Sequence, residues 1–301
     1  MTDAALSWRR RLDSYERLVR LDKPIGILLL LWPTLTALWF VTRGSPPLRL
    51  VLVFTLGTVI MRSAGCAFND WADVRYDKHV KRTESRPLVR GEIAPWEALV
   101  VGAGLALGGF LLVVLATNRA TVLLSFAALA ITLAYPFFKR FFALPQAFLG
   151  IAFSFGIPMA FAAVLGYVSA FGWWLLVINL FWVVAYDTEY AMVDRDDDAR
   201  IGMRTSAITF GRFDVLAVAV CYALYFAGMA WSGARVGMGV AYWAGLGVAV
   251  AIAVYHLRLI RNRDRMRCFH AFLHNHWLGF AMFAAVAVDF GWRYNAWPRM
   301  A

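Results

Sequence analysis

The chain reads as an all-α polytopic membrane protein, with about nine transmembrane helices around a central cavity. Three observations predict this. Of its 301 residues 61% are hydrophobic and only 16% charged, with a mean hydropathy of +0.61, whereas a soluble domain is about 45–50% apolar. Apolar runs of roughly 17 to 25 residues, enough to cross a hydrocarbon core of about 30 Å as helices, can be read nine times. None alternates with period 2, and backbone groups in lipid must be satisfied within the segment, so helices are favoured over a barrel.

Residues 1–23 carry Arg9, Arg10, Arg11, Arg17, Arg20 and Lys23 beside Leu6, Trp8, Leu12, Tyr15, Leu18 and Val19. No A-x-A site follows the first apolar run, so this is no cleaved signal peptide. It reads either as an amphipathic helix on the inner membrane surface or as a plain topogenic flank. The spans then run near 24–42, 48–68, 95–116, 120–138, 143–165, 169–186, 214–233, 236–257 and 270–291, which makes 24–291 one transmembrane domain and 292–301 a short tail. No connection is long enough to hold a soluble domain. Cys66, Cys221 and Cys268 have no paired spacing, so neither a disulfide framework nor a zinc site is indicated.

The net charge of +11 does not point to nucleic acid, because Lys and Arg form no continuous stripe. With nine spans, 23 of the 30 Lys and Arg residues fall on the side of the N-terminus and of the loops after spans two, four, six and eight; six fall opposite, and Arg62 lies inside a span. Positive charge stays cytoplasmic. The expected orientation is therefore N-terminus inside and C-terminus outside.

Acid is rare and gathered. Twelve of 19 Asp and Glu residues lie in windows 69–94 and 187–214, each directly after a long apolar run on the cytoplasmic side. Asp73-x-x-x-Asp77 precedes Arg86-Pro87-Leu88, and Asp194-x-x-x-Asp198 precedes Arg204-Thr205-Ser206. The echo suggests a pseudo-repeat of two four-helix halves, with the ninth span outside it, and repeat halves often place the working site at their interface.

On a helix, residues four apart share a face. Asn69, Asp73 and Asp77 then form one polar ridge with Arg62 two turns deeper, and Asp187, Asp194 and Asp198 form another, with Asp196 and Asp197 turned away if that helix continues. Two such pairs facing one cavity offer carboxylates to Mg²⁺, which binds a few carboxylates together with substrate phosphates; the alternative for each run is a solvated, charge-balanced loop. A charge near the bilayer centre costs about 2.5–3.5 kcal/mol, so Arg62 either meets a buried acid or carbonyl or binds an anionic substrate group. Tyr135, Lys139 and Arg140 close the fourth span, as topological anchors or as groups that neutralise a leaving phosphate. His270, His274 and His276 open the ninth span in an H-x-x-x-H-x-H pattern that suits interfacial hydrogen bonding more than metal.

These residues resemble a known family. Asn69-Asp70-x-x-Asp73-x-x-x-Asp77 matches the N-D-x-x-D-x-x-x-D signature of the UbiA superfamily of intramembrane aromatic prenyltransferases, and Asp194-x-x-x-Asp198 matches its second motif. The finer resemblance is to the bacterial subgroup acting on 4-hydroxybenzoate, through the run Tyr186 to Asp198, Asp22-Lys23-Pro24-Ile25-Gly26, Leu31-Trp32-Pro33-Thr34 and Arg62-Ser63-Ala64-Gly65-Cys66. The likeness spans about residues 16 to 290. It implies transfer of a polyprenyl chain from its diphosphate to the ring carbon ortho to the hydroxyl of 4-hydroxybenzoate, early in ubiquinone synthesis, at the cytoplasmic face of a bacterial inner membrane. It further implies that Asn69, Asp73, Asp77, Asp194 and Asp198 hold Mg²⁺ with Asp70 and Asp187 in support. Lys139 and Arg140 would assist the leaving group, and Arg62 would face the aromatic acid, with Tyr135 beside the substrate. The histidines before Trp277 depart from the asparagine-rich stretch expected there. Other acceptors, such as a naphthoate, a tocopherol-type ring or haem, stay open within the family. Outside it, the D-G-x-x-A-R of a CDP-alcohol phosphotransferase is absent, and an ion-coupled transporter would need acids at mid-membrane rather than at one edge.

Overall fold

The computed structural model describes residues 3–138 and 142–296. Among the described residues every regular element is helical: α1 (Asp3–Leu18), α2 (Ile25–Val41), α3 (Leu48–Asp77), α4 (Pro95–Ala116), α5 (Arg119–Phe138), α6 (Pro145–Ser154), α7 (Gly156–Leu165), α8 (Ala170–Arg200), α9 (Ser206–Phe210), α10 (Asp214–Val236), α11 (Val240–Ile260) and α12 (Arg265–Ala296), with a 3₁₀ turn at Gly211–Phe213.

Among the described residues eight helical segments are long and apolar enough to cross a membrane, counting α6 with α7 and α9 with α10 as single passes, and α2, at 17 residues, is a shorter apolar helix. The chain is thus an integral, multi-pass membrane protein. Its expected fifth span breaks in two at Phe155, whose backbone (φ −70°, ψ −17°) links α6 to α7. A Cβ on Gly156 would lie 2.2 Å from Thr34 Oγ1, so the glycine lets α7 rest directly on α2.

Local chemistry sets the helix ends. The Glu97 carboxylate accepts from the Ala94 N–H at 2.7 Å at the start of α4, and Ser169 Oγ accepts from the Gly172 N–H at 3.3 Å at the start of α8, both satisfying orphan donors of a first turn. α10 ends at Gly237 (φ 69°), a left-handed position that glycine takes without a Cβ penalty.

The membrane helices close into a ring in the order α2, α3, α4, α5, α6/α7, α8, α10, α11, α12 and back to α2. The main core lies where α8 and α12 meet α2, α10 and α11, around Trp182, Tyr186, Tyr242 and Met282. A second, small core of Leu18, Ala67, Leu88, Ile93 and Ala98 seats α1 and the loop after α3 on the acidic end of the bundle. α1 is held there by Ser14 to Glu92 (2.8 Å), Tyr15 to Glu97 (2.7 Å) and the ion pairs Arg17–Glu92 and Arg11–Glu97, with Trp8 and Leu12 exposed.

Among the described residues three helices exceed what a bilayer needs: α12, with 32 residues, and the two that carry the acidic segments. α3 has 30 residues and α8 has 31, about 45 Å each at 1.5 Å per residue against about 30 Å of hydrocarbon. Helix continues through both acidic segments, so the two polar ridges expected from spacing are rigid and their faces defined.

Candidate active site

The acidic ends of α3 and α8 open onto one cavity of about 390 Å³. Asn69, Asp70, Asp73 and Asp77 from α3 line it, as do Asp187, Asp194 and Asp198 from α8. The helix continuing past Asp194 also orders the remaining acids: Asp196 is exposed, while Asp197 is buried and binds Arg265 of α12 at 3.1 Å. From this charged mouth the cavity runs to an apolar wall of α4 and α5, including Phe110, Val113, Phe126 and Leu129. Tyr135 also lines it; Lys139 and Arg140 lie outside the described residues.

Arginines bind the carboxylates, and Arg265 of α12 reaches Asp194 Oδ1 at 3.6 Å. Arg86 Nη1 lies 3.0 Å from Asp70 Oδ1 and pairs also with Asp77. Arg82 donates to Asp194 Oδ2 through Nε (2.8 Å) and Nη2 (2.6 Å), with its guanidinium 4.4 Å from the Tyr190 ring centroid. Arg20 donates from Nη2 to both oxygens of Asp70 at 2.9 Å; its φ of 60° is unusual for a residue with a side chain. Burial works against the charge on Arg82 and Arg86, but Tyr190 and Asp194 around Arg82, and Asp70 and Asp77 around Arg86, outweigh it and hold both above the ordinary arginine value. Both therefore stay cationic, leaving fixed positive charge inside a carboxylate-lined mouth. Spacing alone read these residues as topological anchors. The signal available for Arg86 was its place in Arg86-Pro87-Leu88; Arg82 and Arg20 carried none.

Among the described residues no three His, Cys, Asp or Glu side chains are drawn into a metal-sized cluster, since guanidinium groups lie between the carboxylates. The donor chemistry still suits a hard divalent cation, with several carboxylates and an amide on facing helices. Asn69 Oδ1 is buried with no hydrogen-bond partner among the described residues, an acceptor available to a bound group.

Deeper in the same cavity Arg62 lies on Gly26 of α2, its guanidinium 5.5 Å from the Phe153 ring centroid. Its Nε is buried without a hydrogen-bond partner, and so is the hydroxyl of Tyr186, which lines the cavity nearby. Of the two alternatives for Arg62, a buried acid or carbonyl partner is not found among the described residues.

The histidines belong elsewhere. Tyr222 OH lies 2.9 Å from Glu189 Oε1, 3.0 Å from His256 Nδ1 and 3.0 Å from Asn275 Oδ1. His274 extends this network through His256 at 3.0 Å, His270 stacks on His274, and His276 approaches the Leu273 carbonyl. Asn275 donates to Glu189 Oε2 (2.7 Å) and accepts from Trp182 Nε1 (2.9 Å). Glu189 lies on the side of α8 away from Asp187 and Asp194, so this buried network ties the back of α8 to α10, α11 and α12 while its front faces the cavity.

A ring of membrane helices, with two acidic ridges and buried arginines at the mouth of a cavity that becomes apolar, defines an intramembrane enzyme for a substrate with an anionic head and a long apolar tail. Residues 30–287 match the profile of the UbiA prenyltransferase family. The chain belongs to that family. It is 60% identical over 283 residues to a protein of Cupriavidus necator named 4-hydroxybenzoate octaprenyltransferase, covering 94% of this chain and 99% of that one. A Ralstonia nicotianae protein of the same name is also 60% identical, covering 94% and 97%. Among solved structures, the apo form of a UbiA homolog from Aeropyrum pernix K1 superposes with a TM-score of 0.75 at 25% identity, covering 88% of this chain and 97% of that one. A UbiA homolog from Archaeoglobus fulgidus bound to GPP and Mg²⁺ shares the fold, with a TM-score of 0.67 at 17% identity over 91% and 99%.

Proposed function

We propose that this chain transfers a polyprenyl group from polyprenyl diphosphate to the ring carbon ortho to the hydroxyl of 4-hydroxybenzoate, an early step of ubiquinone synthesis. The observation that carries this reading is the single cavity with acids of both ridges and Arg82 and Arg86 at its mouth and an apolar wall behind. Relatives at 60% identity bear the name of that reaction, and coverage is nearly complete on both sides.

The diphosphate head occupies the acidic mouth. Asn69, Asp73, Asp77, Asp194 and Asp198 would hold Mg²⁺ there, with Asp70 and Asp187 in support. Bound Mg²⁺ supplies positive charge against the diphosphate as the allylic C–O bond breaks. Arg82 and Arg86 stabilise the same developing charge by electrostatics, and Lys139 and Arg140 would assist the leaving group. The prenyl chain lies along the α4 and α5 wall, where exclusion of water protects an allylic cation.

Arg62 receives the carboxylate of the aromatic acid, with Tyr135 and Tyr186 beside the ring. The phenol activates its ortho carbon, which attacks the prenyl carbon, and an aspartate of the mouth takes up the proton lost from the ring. Residues 1–23 are the surface segment and 24–291 the membrane domain, while α12 runs on to Ala296, past the expected start of the tail at 292. The active site faces the cytoplasm of a bacterial inner membrane, with the N-terminus inside, the C-terminus outside and the apolar product leaving into lipid.

Purified protein offered polyprenyl diphosphate with 4-hydroxybenzoate, a naphthoate, a tocopherol-type ring or haem tests the acceptor. Preference for 4-hydroxybenzoate is expected; preference for another acceptor overturns that part and keeps the family chemistry.

A further inference from the structure

Gly26 stands in the first turn of α2 with a φ that any residue can adopt, so the backbone there does not call for glycine. Glycine is a poorer helix former than alanine, which makes the absent side chain a cost unless it serves a contact. A Cβ at this position would lie 2.6 Å from Arg62 Nε, 2.8 Å from Nη2 and 3.1 Å from Cζ. All three atoms belong to the far end of one flexible side chain, and no backbone atom is among them. The guanidinium therefore lies against the bare surface of α2, with the Phe153 ring 5.5 Å from Cζ. In that position its Nε remains buried without a hydrogen-bond partner, and both Gly26 and Arg62 line the cavity.

We propose that Gly26 is a specificity-determining position: its missing side chain sets where the Arg62 cation meets the carboxylate of the aromatic acceptor. The inference rests on the reading of Arg62 given above and adds the residue that aims it. A methyl group at 26 displaces the guanidinium rather than the helix, because the strain falls on the side chain that can move. The consequence is selective. Recognition of the carboxylate is weakened, while the diphosphate at the acidic mouth is held as before.

Gly26→Ala, Arg62→Lys and the double variant, each purified in detergent, test this with 4-hydroxybenzoate and its uncharged analogue 4-hydroxybenzamide as acceptors. For Gly26→Ala the melting temperature is expected to hold or rise, and KM for 4-hydroxybenzoate to increase about tenfold, equivalent to about 1.4 kcal/mol of lost binding. KM for the polyprenyl diphosphate should stay within about twofold, and the preference for acid over amide, as a ratio of kcat/KM, should fall by a similar factor. In the Arg62→Lys background the planar guanidinium is gone, so adding Gly26→Ala should cost little more, the non-additivity expected of residues in contact.

Equal losses on acid and amide, an equal effect of Gly26→Ala in both backgrounds, or failure of the single variant to fold would each overturn the inference, since each marks a general packing role. If Arg62→Lys raises the acceptor KM and Gly26→Ala does not, the inference fails while the reading of Arg62 stands. An unchanged acceptor KM in Arg62→Lys removes both.

Discussion

Arg82, in the loop after α3, binds Asp194 on α8 through two nitrogens at 2.6 and 2.8 Å. One side chain thus ties the loop that follows the first acidic ridge to the second ridge across the mouth of the cavity. The carboxylate is almost fully buried, so the pair replaces the hydration that Asp194 gives up. Removing one partner of a buried pair costs about 3–5 kcal/mol where it strands the other charge; here Arg265 Nη2 lies 3.6 Å from Asp194 Oδ1 and keeps part of the compensation, so the cost falls below that range.

Arg82→Ala should therefore lower the thermal stability of the metal-free protein, and added Mg²⁺ should return part of the loss by supplying charge at the same carboxylates. Melting of wild type and variant in detergent, with Mg²⁺ and with EDTA, measures this. The gap between the proteins is expected to narrow in Mg²⁺; a gap indifferent to the cation would separate Arg82 from the metal site.

Asp73→Ala and Asp194→Ala, one from each ridge, should each reduce prenyl transfer at least about a hundredfold, the scale lost when one group that stabilises developing charge is removed. Correct insertion is checked by size-exclusion chromatography. Full activity in either variant contradicts the two-ridge site.

Asn275→Leu should destabilise the membrane domain without selecting between substrates. The change leaves Trp182 Nε1 and Glu189 Oε2 without their buried partner, at about 1–3 kcal/mol per orphaned group, while Tyr222 keeps Glu189 and His256. The same proportional loss of rate is expected at saturating levels of either substrate; an altered acceptor preference would instead tie this network to recognition.

A reporter fused to the C-terminus should be active only outside the cytoplasm, as nine passes from an inside N-terminus require. Cytoplasmic activity would remove one pass, and the 17-residue α2 is the element to question first.

The fold was largely legible because hydropathy sets helix position almost by itself in lipid. Asn69, Asp73 and Asp77, and equally Asp187, Asp194 and Asp198, could be placed on common faces because a helix interior has a fixed repeat, and α3 and α8 keep that repeat through their acidic ends. The break at Phe155 was hidden because the run 143–165 is apolar on both sides of it. Arg20 was hidden for a different reason: it reaches Asp70, 50 positions away, only because the chain turns through a left-handed conformation after α1. Arg82 and Arg86 looked like membrane-edge anchors, since a basic loop obeys the same charge rule whether its side chains face water or fold into a cavity. The pairing of His274 with His256 depends on the packing of α11 against α12, which spacing does not encode.

The most direct test of the central claim is prenyl transfer by membranes containing this protein, supplied with labelled 4-hydroxybenzoate and a polyprenyl diphosphate, first with Mg²⁺ and then with EDTA. The account predicts a lipid-soluble labelled product that forms with Mg²⁺ and disappears with EDTA. Label left entirely in the aqueous phase, with the protein shown to be folded and inserted, would contradict it.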